Sequence, residues 1–225
     1  MEVGPVEIRV LGCLVEKQRT TPDAYPLTLN ALRIACNQAT NRDPVVQYDD
    51  ATIRAGLDRL ARKRWARMAS GQGSRAPKYR HLLAETLGLA ADELSLLAVL
   101  MLRGAQTPGE LKQRGERLHA LGDLESVEGI LERLIERGHV GRLERRPGQK
   151  EERYAQLLGA GEHREEAVAT RVAAPTRVEP EVTADARPAP EGDDSISVER
   201  RLARLEEEVA ELREALMALE RELGA

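Results

Sequence analysis

The chain has no Phe, one Trp and four Tyr in 225 residues, so aromatics reach only 2%. Its core must come from Leu, Val, Ile and Ala, which suits small helical domains. Two cysteines, Cys13 and Cys36, with no Cys-x-x-Cys spacing, exclude a disulfide framework. The longest apolar run, residues 94–102, is far short of the roughly 20 residues that span a bilayer. The start, Met-Glu-Val-Gly-Pro, lacks the basic and apolar regions of a signal peptide. A soluble cytoplasmic protein with no membrane partner is expected.

Catalytic signatures are missing too. There is no P-loop, nucleophile elbow or dinucleotide fingerprint. His81, His119, His139 and His163 are scattered, and none has a Cys or carboxylate at metal-ligand spacing. No catalytic residue, metal or cofactor is expected, and the chain reads as non-enzymatic.

What is present is an internal repeat. Ile53, Leu57, Leu60 and Ala66 map onto Val127, Leu131, Leu134 and Val140 at an offset of 74. Tyr79, Leu82 and Leu83 map onto Tyr154, Leu157 and Leu158 at 75, so one residue is gained in the turn between. Each copy reads as an apolar helix face, a strand, a Gly-containing turn and a second strand. A repeat of this length means two copies of one small domain. Helix followed by a hairpin is the layout of a winged helix.

The expected fold is mainly α with small β-hairpins. Tandem winged-helix domains at 1–84 and 85–160 precede a disordered linker at 161–195 and a heptad helix at 196–225. In the first domain, helices are expected over 5–17, from Pro26 to Cys36, and from an Asp49 or Asp50 cap onward. Strands are expected over 65–69 and 78–83. In the second, helices cover 92–102, 108–114 with a Thr107/Glu110 capping box, and a segment capped by Asp123 and stopped at Gly138. Its strands are 140–145 and 153–158.

The linker is rich in Pro, Ala, Glu and Thr without apolar periodicity, and a coil of its length spans roughly 35 Å. Beyond it, Val198, Leu205, Leu212 and Leu219 alternate with Leu202, Val209, Leu216 and Leu223 in a heptad. That is a coiled-coil seam, and self-association as a parallel homodimer is favoured over a helix folding back on the body.

Charge is unevenly spread. Residues 1–83 carry 14 Lys and Arg against 8 Asp and Glu, residues 84–161 carry 11 against 13, and residues 162–225 carry 9 against 17. Between Arg59 and Arg80 lie Arg59, Arg62, Lys63, Arg64, Arg67, Arg75, Lys78 and Arg80, with no acid among them. Such a run can neutralise phosphates and release counterions. Thr52 and Arg54, at the start of the third helix, can reach base edges. The competing reading is a solvated basic face. In the second copy, Arg142, Arg145, Arg146, Lys150 and Arg153 alternate with Glu144, Glu151 and Glu152, and its helix carries Glu125, Glu128, Glu132 and Glu136. Phosphate would repel that helix, so a protein partner is expected there.

Residues 20–46 exceed what a generic second helix needs. They hold Thr-Thr-Pro-Asp-x-Tyr-Pro-Leu, then Asn-Ala-Leu, Ala-Cys-Asn-Gln and Asn-Arg-Asp-Pro-Val. In these runs the chain resembles the YceH-like family of bacterial proteins of unknown function, over about residues 5–160. The resemblance implies a tandem winged-helix fold and brings no established activity. Within the segment, Asn30 and Asn41 read as loop ties. Asn37, Gln38 and Arg42 are open between tying the loop and contacting a base or phosphate.

Two functions from different classes are therefore expected to compete. One is a DNA-binding, regulator-like protein contacting duplex DNA through Thr52, Arg54, Arg59, Arg62, Lys63, Arg64, Arg75, Lys78 and Arg80. The other is a non-enzymatic scaffold for partner proteins.

Overall fold

The computed structural model describes residues 3–69, 76–143, 145 and 151–159, all in one compact unit. Arg75, the turn around Pro147, the linker and the heptad lie outside the described residues.

Among the described residues, seven α-helices and five short strands follow in order. Helix α1 spans Pro5–Thr20, three residues beyond the expected end, and Gly4 N–H donates to Glu7 Oε2 at 2.9 Å at its start. A short 3-10 turn, Pro22–Ala24, leads to strand β1, Leu27–Thr28, and helix α2, Leu29–Cys36. Helix α2 starts later than the Pro26 start expected. Leu27 and Thr28 instead pair with a strand, and the Thr28 hydroxyl accepts from Ala31 N–H at 3.3 Å. Asp49 caps α3, Asp50–Arg62, by accepting the Thr52 N–H at 2.8 Å. Strands β2, Ala66–Met68, and β3, Lys78–His81, complete an antiparallel sheet in the order β1-β3-β2.

A single turn, α4, Leu83–Leu87, had no signal in the apolar pattern. Helices α5, Ala91–Arg103, α6, Pro108–Gly115, and α7, Leu124–Glu136, then repeat the plan. The Thr107/Glu110 capping box and the Asp123 cap form as expected. Strands β4, Val140–Leu143, and β5, Arg153–Gln156, close the second copy, both shorter than expected. Gln106 bridges Tyr154 where β1 pairs β3 in the first copy.

The repeat holds at the level of register. Ala66 faces His81 and Met68 faces Tyr79; Val140 faces Gln156 and Arg142 faces Tyr154. These are the same partners at the two offsets read from the sequence. The polar links repeat as well: Leu82 N–H donates to Trp65 O at 2.7 Å, and Leu157 N–H to His139 O at 2.8 Å.

One core runs through both copies. Helices α1 and α5 form its centre, each with ten consecutive buried residues, and they pack on one another. A helix buried on all sides shows no clean amphipathic stripe. Close approach needs Gly12, where a Cβ would lie 2.8 Å from Leu102 Cγ. Each fully buried leucine, such as Leu11, Leu96 or Leu131, contributes about 1.5–3 kcal/mol.

Candidate nucleic-acid interface

Helix α3 turns Ile53, Leu57 and Leu60 inward, which leaves Ala51, Arg54, Ala55, Asp58, Ala61 and Arg62 on the outer face. The alanines keep that face low, so Arg54 and Arg62 stand above it. Among the described residues, Arg54, Arg62, Arg64 and Arg67 have no carboxylate within ion-pair distance, and all four are exposed. Arg67 lies on β2 beside Met68, which is 62% exposed. Asp50 on the same helix is taken up by Arg33 at 2.8 Å.

Arg64 has a further peculiarity. It sits at φ 60 between α3 and β2, in the left-handed region. The equivalent residue in the second copy is Gly138, at φ 71. Glycine takes that conformation without penalty, whereas a side chain costs about 1–2 kcal/mol there.

The remaining basic residues are less available. Arg59 pairs with Glu7, buried in the first turn of α1. Arg133, its equivalent on α7, reaches Glu93 in the first turn of α5 at 3.4 Å. The repeated pair is thus a brace between first and third helices. Arg80 pairs with Glu85 of α4. Lys63 lies over the Trp65 ring at 5.6 Å. Lys78 is half-buried in β3 opposite Thr28, and Thr52 is half-buried in the first turn of α3. The sequence reading missed Glu7 and Glu85, because an acid-free run says nothing about acids brought in from elsewhere.

Several polar side chains between residues 37 and 49 are engaged within the protein. The Asn37 side chain donates to Tyr48 O and accepts from Tyr48 N–H, both at 2.8 Å. Arg42 is buried and spends all five donors: Nε on Ala35 O, Nη1 on Asn41 O and Glu16 Oε1, Nη2 on Gln38 Oε1 and Glu16 Oε2. Arg117, which follows α6, joins Glu16 as well. Burial alone would raise the Glu16 carboxyl, but hydrogen bonding and charge from Arg42, then Arg117, hold it below its ordinary value. Cys13 and Cys36 are buried beside this cluster as free thiols. Asn37, Gln38 and Arg42 therefore tie the loop. Asn30 is exposed and accepts from Arg33 at 2.9 Å.

Residues 3–149 match a family model described as "Protein of unknown function, DUF480". The chain belongs to this family. The match contains residues 20–46, on which the resemblance rested. The relatives carry the name UPF0502 protein. One from Pelobacter propionicus is 48% identical over 223 residues, covering 98% of this chain and 94% of the relative. One from Geotalea daltonii is 54% identical over 162 residues, covering 71% and 73%. One from Shewanella sp. strain MR-4 is 40% identical over 225 residues, covering 97% and 98%.

Set against the first copy, the second presents the opposite charge. Arg54 and Arg62 correspond to Glu128 and Glu136, and Ala51 to Glu125, all exposed. Arg142 on β4 is neutralised by Glu132 at 2.5 Å and Glu152 at 3.3 Å, and lies over the Tyr154 ring. Among the described residues no three His, Cys, Asp or Glu side chains are placed to hold a metal ion. No described helix is long and apolar enough to cross a membrane.

Proposed function

We propose that the protein binds duplex DNA in the cytoplasm as a tandem winged-helix protein, with the first copy making the contact. In this reading α3 enters the major groove and the β2–β3 hairpin follows the backbone. The C-terminal heptad pairs two chains, so that two first copies address one duplex. The observation that carries the reading is the contrast at equivalent positions: unpaired Arg54 and Arg62 on α3 against Glu128 and Glu136 on α7. Arg64 supports it, being kept at a backbone angle that its duplicate gives to glycine.

The test is fluorescence anisotropy of a labelled random-sequence duplex at salt concentrations between roughly 50 and 200 mM. Affinity should fall linearly on a log–log plot with a slope near −0.9 per phosphate neutralised. Absence of salt-dependent binding to the wild-type chain would sink the proposal.

A second reading, a scaffold for partner proteins, draws on the acidic face of α7, where Leu124 is 44% exposed beside Glu125 and Glu128. Affinity capture with the tagged full chain, with and without residues 196–225, tests it. Recovery of nothing but the chain itself counts against it.

A further inference from the structure

A cavity of about 380 Å³ is lined entirely by residues outside α3. Its walls come from both copies: Asp43 and Pro44 of the long loop, residues 103–106 after α5, Glu110 and Arg114 of α6, and Arg153 of β5. That volume falls at the small end of ligand pockets, roughly 300–1,000 Å³.

The lining carries three arginines, Arg103, Arg114 and Arg153, against two carboxylates, Asp43 and Glu110. Arg114 and Arg153 share one carboxylate, Glu110, at 3.4 and 3.2 Å. Arg153 also donates to Ala105 O at 2.9 Å. Arg103 has no carboxylate partner among the described residues; it donates to the side-chain oxygen of Asn41. Burial, then the charges of Arg114, Arg117 and Arg42, hold its guanidinium below its ordinary value. A group so placed gains from an anion.

Gln106 holds the wall of the cavity in place. Its residue is 4% exposed, and its amide Nε2 donates to Arg103 O at 3.1 Å and Ala105 O at 2.8 Å. Its backbone is pinned to Tyr154 in both directions. Yet its Oε1 is buried with no hydrogen-bond partner. Leaving such an acceptor unmet costs about 1–3 kcal/mol. The atom is also sealed from solvent, so it does not face the open space of the cavity.

We infer that this cavity binds a small molecule carrying a carboxylate or phosphate oxyanion. The oxyanion meets Arg103 and Arg114. Walls from both copies mean that occupancy bears on how the two are held together. The inference stands apart from DNA binding, because none of these residues lies on the exposed face of α3.

The experiment titrates the full chain with glycerol 3-phosphate, inorganic phosphate and succinate at constant ionic strength, with chloride as reference, by calorimetry and thermal shift. Saturable binding is expected, with succinate against the phosphates separating the two oxyanions. Arg103→Ala should weaken binding at least about tenfold, and Arg114→Ala is the second variant should the first fail to fold. Arg54→Glu with Arg62→Glu should change nothing. The inference is overturned if no probe binds beyond chloride, if both arginine variants bind like wild type, or if the α3 charge reversal abolishes binding.

Discussion

Arg54 and Glu128 occupy the same place on two equivalent helices, and so do Arg62 and Glu136. Around them almost everything else agrees. The Asp49 and Asp123 caps, the Glu7–Arg59 and Glu93–Arg133 braces and the hairpin registers are held in common. Packing and backbone hydrogen bonding restrict those shared positions, because a buried mismatch costs several times more than a surface one. Outward positions carry no such restriction, so function can diverge there. The copies differ inwardly as well. A 13-residue connection at 37–49 carries the Glu16–Arg42 pair, whereas the connection at 116–123 is short and contributes Arg117 to that same pair.

The buried pair offers the largest contrast. Arg42→Met should destabilise the fold by about 3–5 kcal/mol, since Glu16 would lose its bidentate partner in the interior. Arg142→Met, which removes a half-exposed pair in the second copy, should cost less than about 1 kcal/mol. Urea unfolding measures both, and similar losses would mean that burial does not distinguish the copies.

Charge exchange comes next. Giving α3 the residues of α7, Arg54→Glu with Arg62→Glu, should weaken duplex binding by about 30-fold or more and flatten its salt slope by about two phosphates. Glu128→Arg with Glu136→Arg should leave binding unchanged or tighten it. If the first pair of changes has no effect on anisotropy, the outward difference is not about DNA.

His81 in the first copy stands where the second has Gln156. Burial pushes its imidazole down to about 4, and its Nε2 meets Gln18 Oε1 at 2.7 Å. The unfolded imidazole takes a proton near 6.5, which the folded one refuses until about 4. Stability is therefore full above pH 6.5 and falls as pH drops from 6.5 towards 4, by up to about 3 kcal/mol. His81→Gln should remove the loss in that window, read as the midpoint of urea unfolding at pH 7.5 and 5. An unchanged pH dependence would place the sensitive group elsewhere.

The smallest effect expected is at Arg64. Arg64→Gly should raise stability by about 0.5–1 kcal/mol, because relief at φ 60 exceeds the added freedom of the unfolded chain. It should also weaken DNA binding. A variant that gains stability and binds DNA as wild type would show that the strained arginine serves another purpose.

Much of this was legible in the chain itself. The offsets of 74 and 75 named the equivalent residues, and Thr107, Glu110, Asp123 and Gly138 marked helix ends through local chemistry of three or four residues. The start of α2 was misplaced because Leu27 is held by Tyr79, about fifty positions away, and no local rule sees that pairing. Of the expected contact residues, Arg54, Arg62 and Arg64 are exposed with no ion pair among the described residues, while Arg59 and Arg80 are engaged by Glu7 and Glu85.

By itself, then, the sequence determined the repeat, the capped starts of α6 and α7, the inward faces of α3 and α7 and the sign of the charge each helix shows outward. Periodicity and capping depend on neighbours within one or two turns, and those are written in order along the chain. Only the tertiary structure decided that α1 and α5 meet at Gly12, that Arg42 is sealed against Glu16 and Arg117, and that Arg103, Arg114 and Arg153 surround one cavity. Those outcomes depend on which faces meet, and a pattern along one element reports that a face is buried without naming what covers it.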